Sequence, residues 1–540
     1  MSAAFRHRPT GLVQHRRAGR VHAGLQDALQ IVLIWISFIG YSFAQAPIPA
    51  ANEPHYLTKA YHYWNPSWCD EDLFLESSNA HLVFYQTFGL LTVFLSLPMT
   101  AVIGRMLALL LLAMGWCFCL RPIIPQRWGP LPAAWVWMAL TALGNFSGEW
   151  VIGGIESKVV AYGFLLFAIG HAVRSEFCRA GVHTGLAIAF HPVIGVWGAM
   201  ALAGMAIWGF INGLNRLPVR RLFIATVLLL LASAPGLIPA LLLIGGGDPA
   251  ADHLQVFVRL GHHLDPLRFP IFAWLYYAAL ILVWLGLRIN LPRINAESLF
   301  TRFVFVALLI AFVGLVIGLR TGPVEEMWFR GLRTGLLKFY WFRLADIFVP
   351  MAAAVSMTRL LIQFYAGREP IRWAWPRSFA QVVVALILVG FISVPYLREP
   401  HDPSRMSYAR HANWIEVCRW ISGNTPEDGL FFTPRHAWAF TWYSDRSDYF
   451  AYKNMPQDAA SLLEWNNRRL FQQEWWERVA ATALTPENEW PRKVHPSMVD
   501  ALKTETEATH VVLHNSSVLP LKPLFSNESY SVYQLRDVVH

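Results

Sequence analysis

The chain has 540 residues, of which 55% are hydrophobic and 15% are charged, and its mean hydropathy is +0.37. Soluble proteins carry about a quarter charged residues, so this composition excludes an ordinary soluble enzyme. The net charge of +9 does not indicate nucleic-acid binding, because most of the extra arginines lie in short loops between apolar runs, where they act as topology signals. The sequence predicts a polytopic α-helical membrane protein without a nucleic-acid partner.

A basic arm, residues 1–27, precedes the first apolar run at residues 28–46. It lacks a small-residue cleavage site, so we expect a cytoplasmic arm and a retained first helix. The first run and those after it predict about 10–12 spans, counting short or re-entrant helices, in a transmembrane domain of residues 28–397. The later runs lie near residues 81–120, 131–147, 159–173, 182–209, 222–244, 270–290, 300–320, 337–357 and 378–397.

The loops between these runs form two classes by charge. Arginine with few acids is found at 121–130, 174–181, 211–221, 288–302 and 358–377. Most of the acids and many histidines are found at 47–80, 148–158, 245–269 and 321–336. The positive-inside rule places the first class in the cytoplasm and the second class outside.

Two runs do not fit a single full span. Pro98 breaks the run 81–120, and we expect that the part at 81–97 does not cross fully; the alternative places Arg121 and Arg127 outside. The run 182–209 is too short for two full spans and is interrupted by His191-Pro192. We interpret it as two short or re-entrant helices.

A change of character after residue 397 predicts a separate α/β domain at 398–540, which parity places outside the membrane. The linker "REPHDPSR" leads to an amphipathic helix, "HANWIEVCRWISGN". Three short strands are predicted at "GLFFTP", "THVVLHN" and "YSVYQLR", and a long amphipathic helix at "DAASLLEWNNRRLFQQEWWERVAATAL". Among the five cysteines, Cys69 and Cys418 could pair only if the fold brings them together.

The first outer loop is dense in acids, histidines and aromatics between residues 52 and 76. Its carboxylates can act as a general base or hold a divalent cation; the alternative is a solvated interfacial loop. In the second outer loop, Glu149 and Glu156 share one face if the segment is helical, but Gly153-Gly154 makes a bend equally compatible. The ionisable residues of the first loop are Glu53, His55, His62, Asp70, Glu71, Asp72 and Glu76.

Further candidates lie in "VRLGHHLDPLRFP". Arg259, His262 and His263 can bind a phosphate, or the histidines can simply tie the loop to backbone carbonyls. The histidine pair has no evident third metal ligand.

Arg343 and Asp346 lie one helical turn apart at the outer end of a span, where charges are either functional or paired with each other. His191 is either a core histidine or a site residue. The tail contains four basic side chains with two interpretations: they face an anionic or sugar substrate, or they form ordinary domain surface. These residues are Arg435, His436, Arg446 and Lys453.

With these residues in view, the chain resembles the GT-C superfamily of integral membrane glycosyltransferases, in an uncharacterised bacterial branch, over roughly residues 28–397. The resemblance rests on the layout and on "NEPHY", "GGIESK", "GLAIAFHPVIG" and "YWFRLAD". In "NEPHY", Glu53 stands at the Glu position of the family's Asp-Glu-aromatic pattern, and Asn52 replaces the Asp.

The resemblance implies an inverting transfer of a sugar from a polyprenyl-phosphate donor to an envelope acceptor on the outer face, among membrane lipids. It implies Glu53, Asp72 or Asp70 as the catalytic base. The family sometimes uses a divalent cation, Mg²⁺ or Mn²⁺. The implied substrate-binding residues are His55, Glu156, Arg259, His262, His263, Arg343 and Asp346. Two other interpretations remain: a scaffold or binding protein of an envelope-polysaccharide system, which Asn52 favours, and a transporter or lipid flippase, which broken helices favour.

Overall fold

The structure is a computed structural model. It describes residues 11–214, 216, 218–366, 385, 389, 403–482 and 490–536, with the backbone alone for 11–23. The predicted span at 378–397 and most of the linker after it fall outside these residues.

A bundle of α-helices forms the larger part of the described chain. Seven of the helices are long and apolar enough to cross a membrane, and α6, α7 and α8 are shorter apolar helices. The helices are α1 (Gly11–Gln45), α2 (Glu53–Trp64), α3 (Leu73–Glu76), α4 (Leu82–Gln86), α5 (Leu97–Leu120), α6 (Pro130–Leu143), α7 (Ser157–Ala172), α8 (Phe177–Phe190), α9 (Pro192–Ile211), α10 (Val219–Gly245), α11 (Pro249–His253), α12 (Gly261–Leu264), α13 (Ile271–Ile289), α14 (Asn295–Gly318), α15 (Arg330–Leu337) and α16 (Arg343–Tyr365). The polytopic helical class predicted from composition is confirmed.

The bundle core is built from close helix pairs. α7 packs between α5 and α8, α8 packs along α10, and α14 packs on α9 and α16. Small residues allow this closeness: a Cβ added at Gly115 would lie 2.6 Å from the carbonyl oxygen of Gly163. Close backbone approach through small residues is the usual packing mode of membrane helices. α16 is the most buried of the candidate spans and therefore forms the centre of the bundle.

The two irregular runs each contain a helix break. Residues 82–93 form only α4 and a short 3₁₀ turn, so this part contains no helix long enough to cross, in agreement with the preferred interpretation. The side of the membrane on which Arg121 and Arg127 lie stays a prediction. In the second run α8 ends at Phe190 and α9 begins at Pro192, as the His191-Pro192 pair predicts. The expectation of two short helices is wrong for α9, because its 20 residues are long enough to cross.

The tail folds as a small α/β unit. Its helices are α17 (Tyr408–Asn424), α18 (Phe440–Ser444), α19 (Ala459–Thr482) and α20 (Pro496–Glu505). Its strands are β1 (Leu430–Phe432), β2 (Ser447–Asp448), β3 (Arg492–Lys493), β4 (His510–His514), β5 (Ser517–Val518), β6 (Phe525–Ser526) and β7 (Tyr530–Gln534). The predicted helices and strands of the tail are present.

Five of these strands form one sheet in the order β2-β1-β4-β7-β6. β1 pairs in parallel with β2 and with β4, whereas β7 pairs antiparallel with β4 and β6. β3 and β5 form a separate parallel pair. α17 and α19 cover the main sheet with aromatic side chains such as Trp414 and Trp475, which are fully buried.

Candidate functional site

A cavity of about 310 Å³ lies where the loops at one end of the bundle meet the tail. The bundle contributes the loop between α6 and α7, the start of α9, the end of α10, the α11–α12 segment and the junction of α15 and α16. The tail contributes Lys453, Met455 and Gln457. The polar lining residues from the bundle are Asn52, His55, Tyr56, His81, Glu149, Glu156, Lys158, His191, Asp252, Gln255, Arg259, His262, His263, Lys338, Tyr340 and Arg343.

Two glutamates and two cations form the charged centre of this cavity. Lys158 Nζ lies 3.4 Å from Glu156 and 3.7 Å from Glu149, and Arg343 Nε lies 3.2 Å from Glu149. The amide of Asn52 donates to Glu156 at 2.7 Å. Burial raises the pKa of Glu156, while Lys158 and Asn52 oppose that rise by favouring the ionised form. Glu156 is therefore a carboxylate that takes up a proton more readily than an exposed glutamate does.

Asp346 fixes the loop that carries Glu149. Its carboxylate accepts hydrogen bonds from the backbone N–H groups of Phe146, Ser147 and Glu149, and from the hydroxyl of Ser147. Asp346 and Arg343 thus have separate partners within the described residues, and the expected one-turn pair between them is not formed. Asp346 lies behind the cavity wall and Arg343 lies on it.

Gly148 lets this loop pass close to the histidine pair. Its φ is +78°, and a Cβ there would lie 2.7 Å from the ring of His263. A side chain at this position would be strained and would displace the ring. His263 in turn donates from Nδ1 to the carbonyl oxygen of Ser147 at 2.5 Å. His263 therefore ties the loop to a backbone carbonyl, as one of the two interpretations expects, and both histidines line the cavity, while phosphate binding by the pair stays a prediction.

A neutral polar cluster lies beside the glutamates. His81 lies within 3.3 Å of both the Tyr56 hydroxyl and the Ser157 hydroxyl, and its ring is 5.2 Å from that of His191. His191 Nε2 is 3.2 Å from Arg343 Nη1. Burial, with a smaller contribution from Arg343, lowers the pKa of His81 to about 4, so the ring is neutral at physiological pH. These groups can orient hydroxyls in the cavity without adding charge.

The wall next to the tail is basic. The Arg259 guanidinium donates from Nε to the carbonyl oxygen of Tyr452 at 3.0 Å and lies over that tyrosine ring. Lys453 projects into the cavity, where enclosure by protein and the charge of Arg259 lower its pKa to about 8. Burial and Arg259 also lower the pKa of His262. This wall can bind an anion with guanidinium, ammonium and imidazole donors.

Another part of the cavity wall is apolar. The last turns of α10 contribute Ala240, Leu243 and Ile244, and α9 begins with Pro192 and Val193. α10 is a candidate membrane span with little of its surface buried. The cavity thus joins a cationic interior to a side that is compatible with lipid.

The three proposed bases of the first loop do not line this cavity. Glu53 is completely buried against Arg105 and also accepts hydrogen bonds from the backbone N–H groups of Ala50 and Ile155. Asp72 caps α3 and accepts from Thr441 in the tail. Asp70 is exposed. Among the remaining acids predicted from the sequence, Glu149 and Glu156 are the ones that face the cavity.

Several cavity residues were not named as candidates from the sequence, among them Lys158, His81 and Tyr56. Lys158 is a lysine at the first turn of an apolar helix, and that placement is a signal that could have found it. The hydroxyl of Tyr56 belongs to the polar cluster around His81. In the tail, Lys453 is on the cavity wall, whereas Arg446 is buried within the tail by hydrogen bonds to Ser422 and Thr425.

The cavity does not contain a recognisable metal site. Within the described part of the chain, no group of three or more His, Cys, Asp or Glu side chains is arranged to hold a metal ion. The lysine between Glu149 and Glu156 occupies the place where a cation would balance them. These residues therefore do not fit the divalent cation that the resemblance allows. All five cysteines are free, so Cys69 and Cys418 are not paired.

Comparisons with known proteins find a family match to one segment of the tail and a distant structural similarity to solved membrane proteins. Residues 412–470 match the model of a family described as a domain of unknown function, DUF6798. No curated protein sequence matches the chain. ArnT from Cupriavidus metallidurans bound to undecaprenyl phosphate is similar at 13% identity and a TM-score of 0.45, with 95% of this chain and 99% of that chain covered.

The apo form of the same ArnT gives 12% identity and a TM-score of 0.48, covering 95% of this chain and 98% of that one. The oligosaccharyltransferase AglB from Archaeoglobus fulgidus, in complex with an inhibitory peptide and a dolichol-phosphate, is similar at 11% identity and a TM-score of 0.37. The match covers 90% of this chain and 69% of that chain. ArnT and AglB belong to the GT-C superfamily, which the sequence patterns resemble. At these low identities and TM-scores no ligand, reaction or residue role is transferred to this chain.

Proposed function

We propose that the protein is a membrane glycosyltransferase that moves a sugar from a polyprenyl-phosphate donor to an envelope acceptor at the outer face of the membrane. The observation that carries this proposal is the cavity itself. It combines a buried carboxylate, Glu156, with a cationic wall and an apolar wall formed by α10. Binding of a lipid phosphate requires the cationic wall and the apolar wall, and activation of a hydroxyl nucleophile requires the carboxylate.

In the proposed reaction, the Glu156 carboxylate accepts the proton of the acceptor hydroxyl as its oxygen attacks the anomeric carbon of the sugar. The bond between that carbon and the phosphate oxygen breaks, and the polyprenyl phosphate leaves with the electron pair. Arg343, Arg259 and Lys453 stabilise the charge that develops on the leaving phosphate. One displacement inverts the anomeric centre.

The other residues of the cavity have positioning roles in this proposal. Lys158 and Asn52 hold Glu156, and Asp346 holds the loop of Glu149. His55, His262 and His263 contact the sugar or the phosphate. For Glu53, saturation by Arg105 and two backbone N–H groups favours a structural role over that of the base. No step uses a metal ion.

The test is an envelope glycan and glycolipid profile of a deletion strain complemented with wild type, Glu156→Gln or Glu71→Gln. Glu71 is an exposed acid of the first loop outside the cavity and is the matched control. We expect one glycan to disappear in the deletion strain and to return with wild type and Glu71→Gln, but not with Glu156→Gln at equal membrane levels. Restoration by Glu156→Gln would support the scaffold instead. An unchanged glycan profile in the deletion strain would remove the transferase proposal and favour a transporter.

A further inference from the structure

The tail carries a second cleft of about 530 Å³. Its walls are the loop that follows β1, one face of α19 and the end of β4. The residues that line it are Pro434, Arg435, His436, Arg469, Gln472, Gln473, Trp476, Glu477, Ala480, His514 and Ser516. None of these residues lines the cavity described above.

The cleft lies at the switch point of the main sheet. β1 and β4 are adjacent and parallel. The chain leaves β1 towards β2 on one side, whereas the chain after β4 first forms β5 and then returns to the main sheet as β6 and β7 on the other side. The loops after two such strands diverge and leave a crevice at their carboxyl ends, which is where open α/β sheets bind ligands. Pro434 and His436 follow β1 and His514 ends β4, so the cleft is that crevice.

The charge of the cleft is mainly positive, because its lining includes the two arginines Arg435 and Arg469 and one acid. Arg469 donates from Nε and Nη2 to the amide oxygen of Asn466, a neutral partner. Arg435 lies over the ring of Tyr452, 5.8 Å from its centroid. Within the described residues neither guanidinium forms an ion pair with a carboxylate. Glu477 is the acid of the lining, and it accepts from Gln473.

The other lining groups suit a sugar ring. The Trp476 ring is partly exposed and is held edge-to-face against the buried Trp475 at 4.8 Å. A fixed indole offers an apolar face for the C–H groups of a sugar. Burial lowers the pKa of His436 and of His514, which favours the neutral ring, and a neutral imidazole can exchange hydrogen bonds with hydroxyls. α19 lines the cleft with its side and not its N-terminus, which argues against a nucleotide phosphate site of the usual kind.

We propose that this cleft binds an acidic saccharide, with Arg435 and Arg469 on its anionic group and Trp476 on a ring face. The site does not depend on the proposed transfer reaction. Its position is nevertheless relevant to it, because Tyr452 lies between the two sites. The guanidinium of Arg259, in the cavity, lies 4.9 Å from the centroid of the Tyr452 ring. The guanidinium of Arg435, in the cleft, lies 5.8 Å from the centroid of the same ring. A saccharide longer than the cleft would therefore extend towards the cavity along a basic surface.

The experiment measures binding of trisaccharides to the full-length protein in lipid nanodiscs by saturation-transfer NMR and calorimetry. The probes carry carboxylates, phosphates or sulfates, and neutral maltotriose is the reference. We expect at least one acidic probe to bind at least about tenfold more tightly than maltotriose, since a charge-assisted contact is worth that much. Arg435→Gln/Arg469→Gln should remove this preference. Arg419→Gln, an exposed arginine on α17 outside the cleft, should keep it.

Two results would overturn the proposal: no acidic probe preferred over maltotriose, or a preference that survives in the double variant. Trp476→Ala provides a second check, because it should weaken acidic and neutral probes alike by about tenfold while leaving the ratio between them unchanged. Thermal unfolding of each variant confirms that it is folded. A negative result in this binding experiment does not affect the test with Glu156→Gln, because that test reports on the cavity and not on the cleft.

Discussion

The carboxylate of Glu53 and the guanidinium of Arg105 meet at 2.6 and 2.8 Å with both side chains completely buried. The remaining guanidinium donors bind the carbonyl oxygens of Ala46 and Pro47, and the carboxylate also accepts from Ile155. The pair therefore joins α5 to the chain before α2 and to the loop between α6 and α7. This is the geometry of a structural ion pair.

Glu53→Gln should destabilise the protein by about 3–5 kcal/mol, because it leaves Arg105 as a buried charge without its partner. The measurement is thermal or denaturant unfolding of the purified protein. The double variant Glu53→Gln/Arg105→Gln should lose less stability than the two single variants combined, because the pair acts as a unit. A Glu53→Gln protein with wild-type stability and no activity would instead favour Glu53 as the base.

The pH profile of transfer should have an acidic limb set by Glu156. The base works only when ionised, so the rate falls as the pH drops through its pKa. Burial raises that pKa, which places the limb above the range of an ordinary glutamate. Lys158→Gln removes a charge that favours the ionised form, and it should therefore move the limb to higher pH. The control is Lys522→Gln at an exposed site in the tail. If the limb lies at the same pH in wild type and in Lys158→Gln, the ionisation of Glu156 does not set the rate.

Binding of a lipid phosphate should weaken between about pH 7 and pH 9. Lys453 has a pKa of about 8 and is charged below it, so the cavity loses a cation as the pH rises. The measurement is the Kd of undecaprenyl phosphate for the protein in nanodiscs. Lys453→Gln should bind more weakly at pH 7, by about tenfold, and should show a flatter pH dependence. If wild type and Lys453→Gln have the same pH dependence, Lys453 does not face the phosphate.

Asp72→Asn should loosen the contact between the first loop and the tail. The carboxylate accepts at 3.3 Å from both the Thr441 hydroxyl and the backbone N–H of Asp448. An asparagine keeps the cap of α3 but loses a charged acceptor, which costs about 1–2 kcal/mol. Hydrogen exchange over residues 441–448 should become faster, while Asp70→Asn, at an exposed neighbour, leaves it unchanged. An abolished reaction without faster exchange would contradict this structural role.

Local patterns predicted the helices and strands well. The His191-Pro192 break follows from the conformational limits of proline, and the three longer strands follow from runs of β-branched and aromatic residues. The site was harder to predict, because it depends on contacts between distant segments. Asn52 reaches Glu156 across 104 positions, and Arg105 reaches Glu53 across 52.

The outcome at Glu53 shows the physical reason. An acid in a loop after a span has the same local sequence whether it faces a substrate or a buried arginine. The path of α5 decides between the two environments, because α5 carries Arg105. Glu156, the acid seven residues after Glu149, was more informative, because Lys158 lies two residues after it and contacts both carboxylates. A neutral group such as His81 produces no periodic pattern in the sequence that would mark it as part of a site.

The break between α8 and α9 also affects the electrostatics of the cavity. α9 begins at Pro192 and Val193, both on the cavity wall, so the positive end of its peptide dipoles points there. Part of the attraction for an anion is therefore carried by the backbone. Removing one arginine or lysine leaves that field in place, and single charge substitutions in the cavity should weaken lipid-phosphate binding without abolishing it.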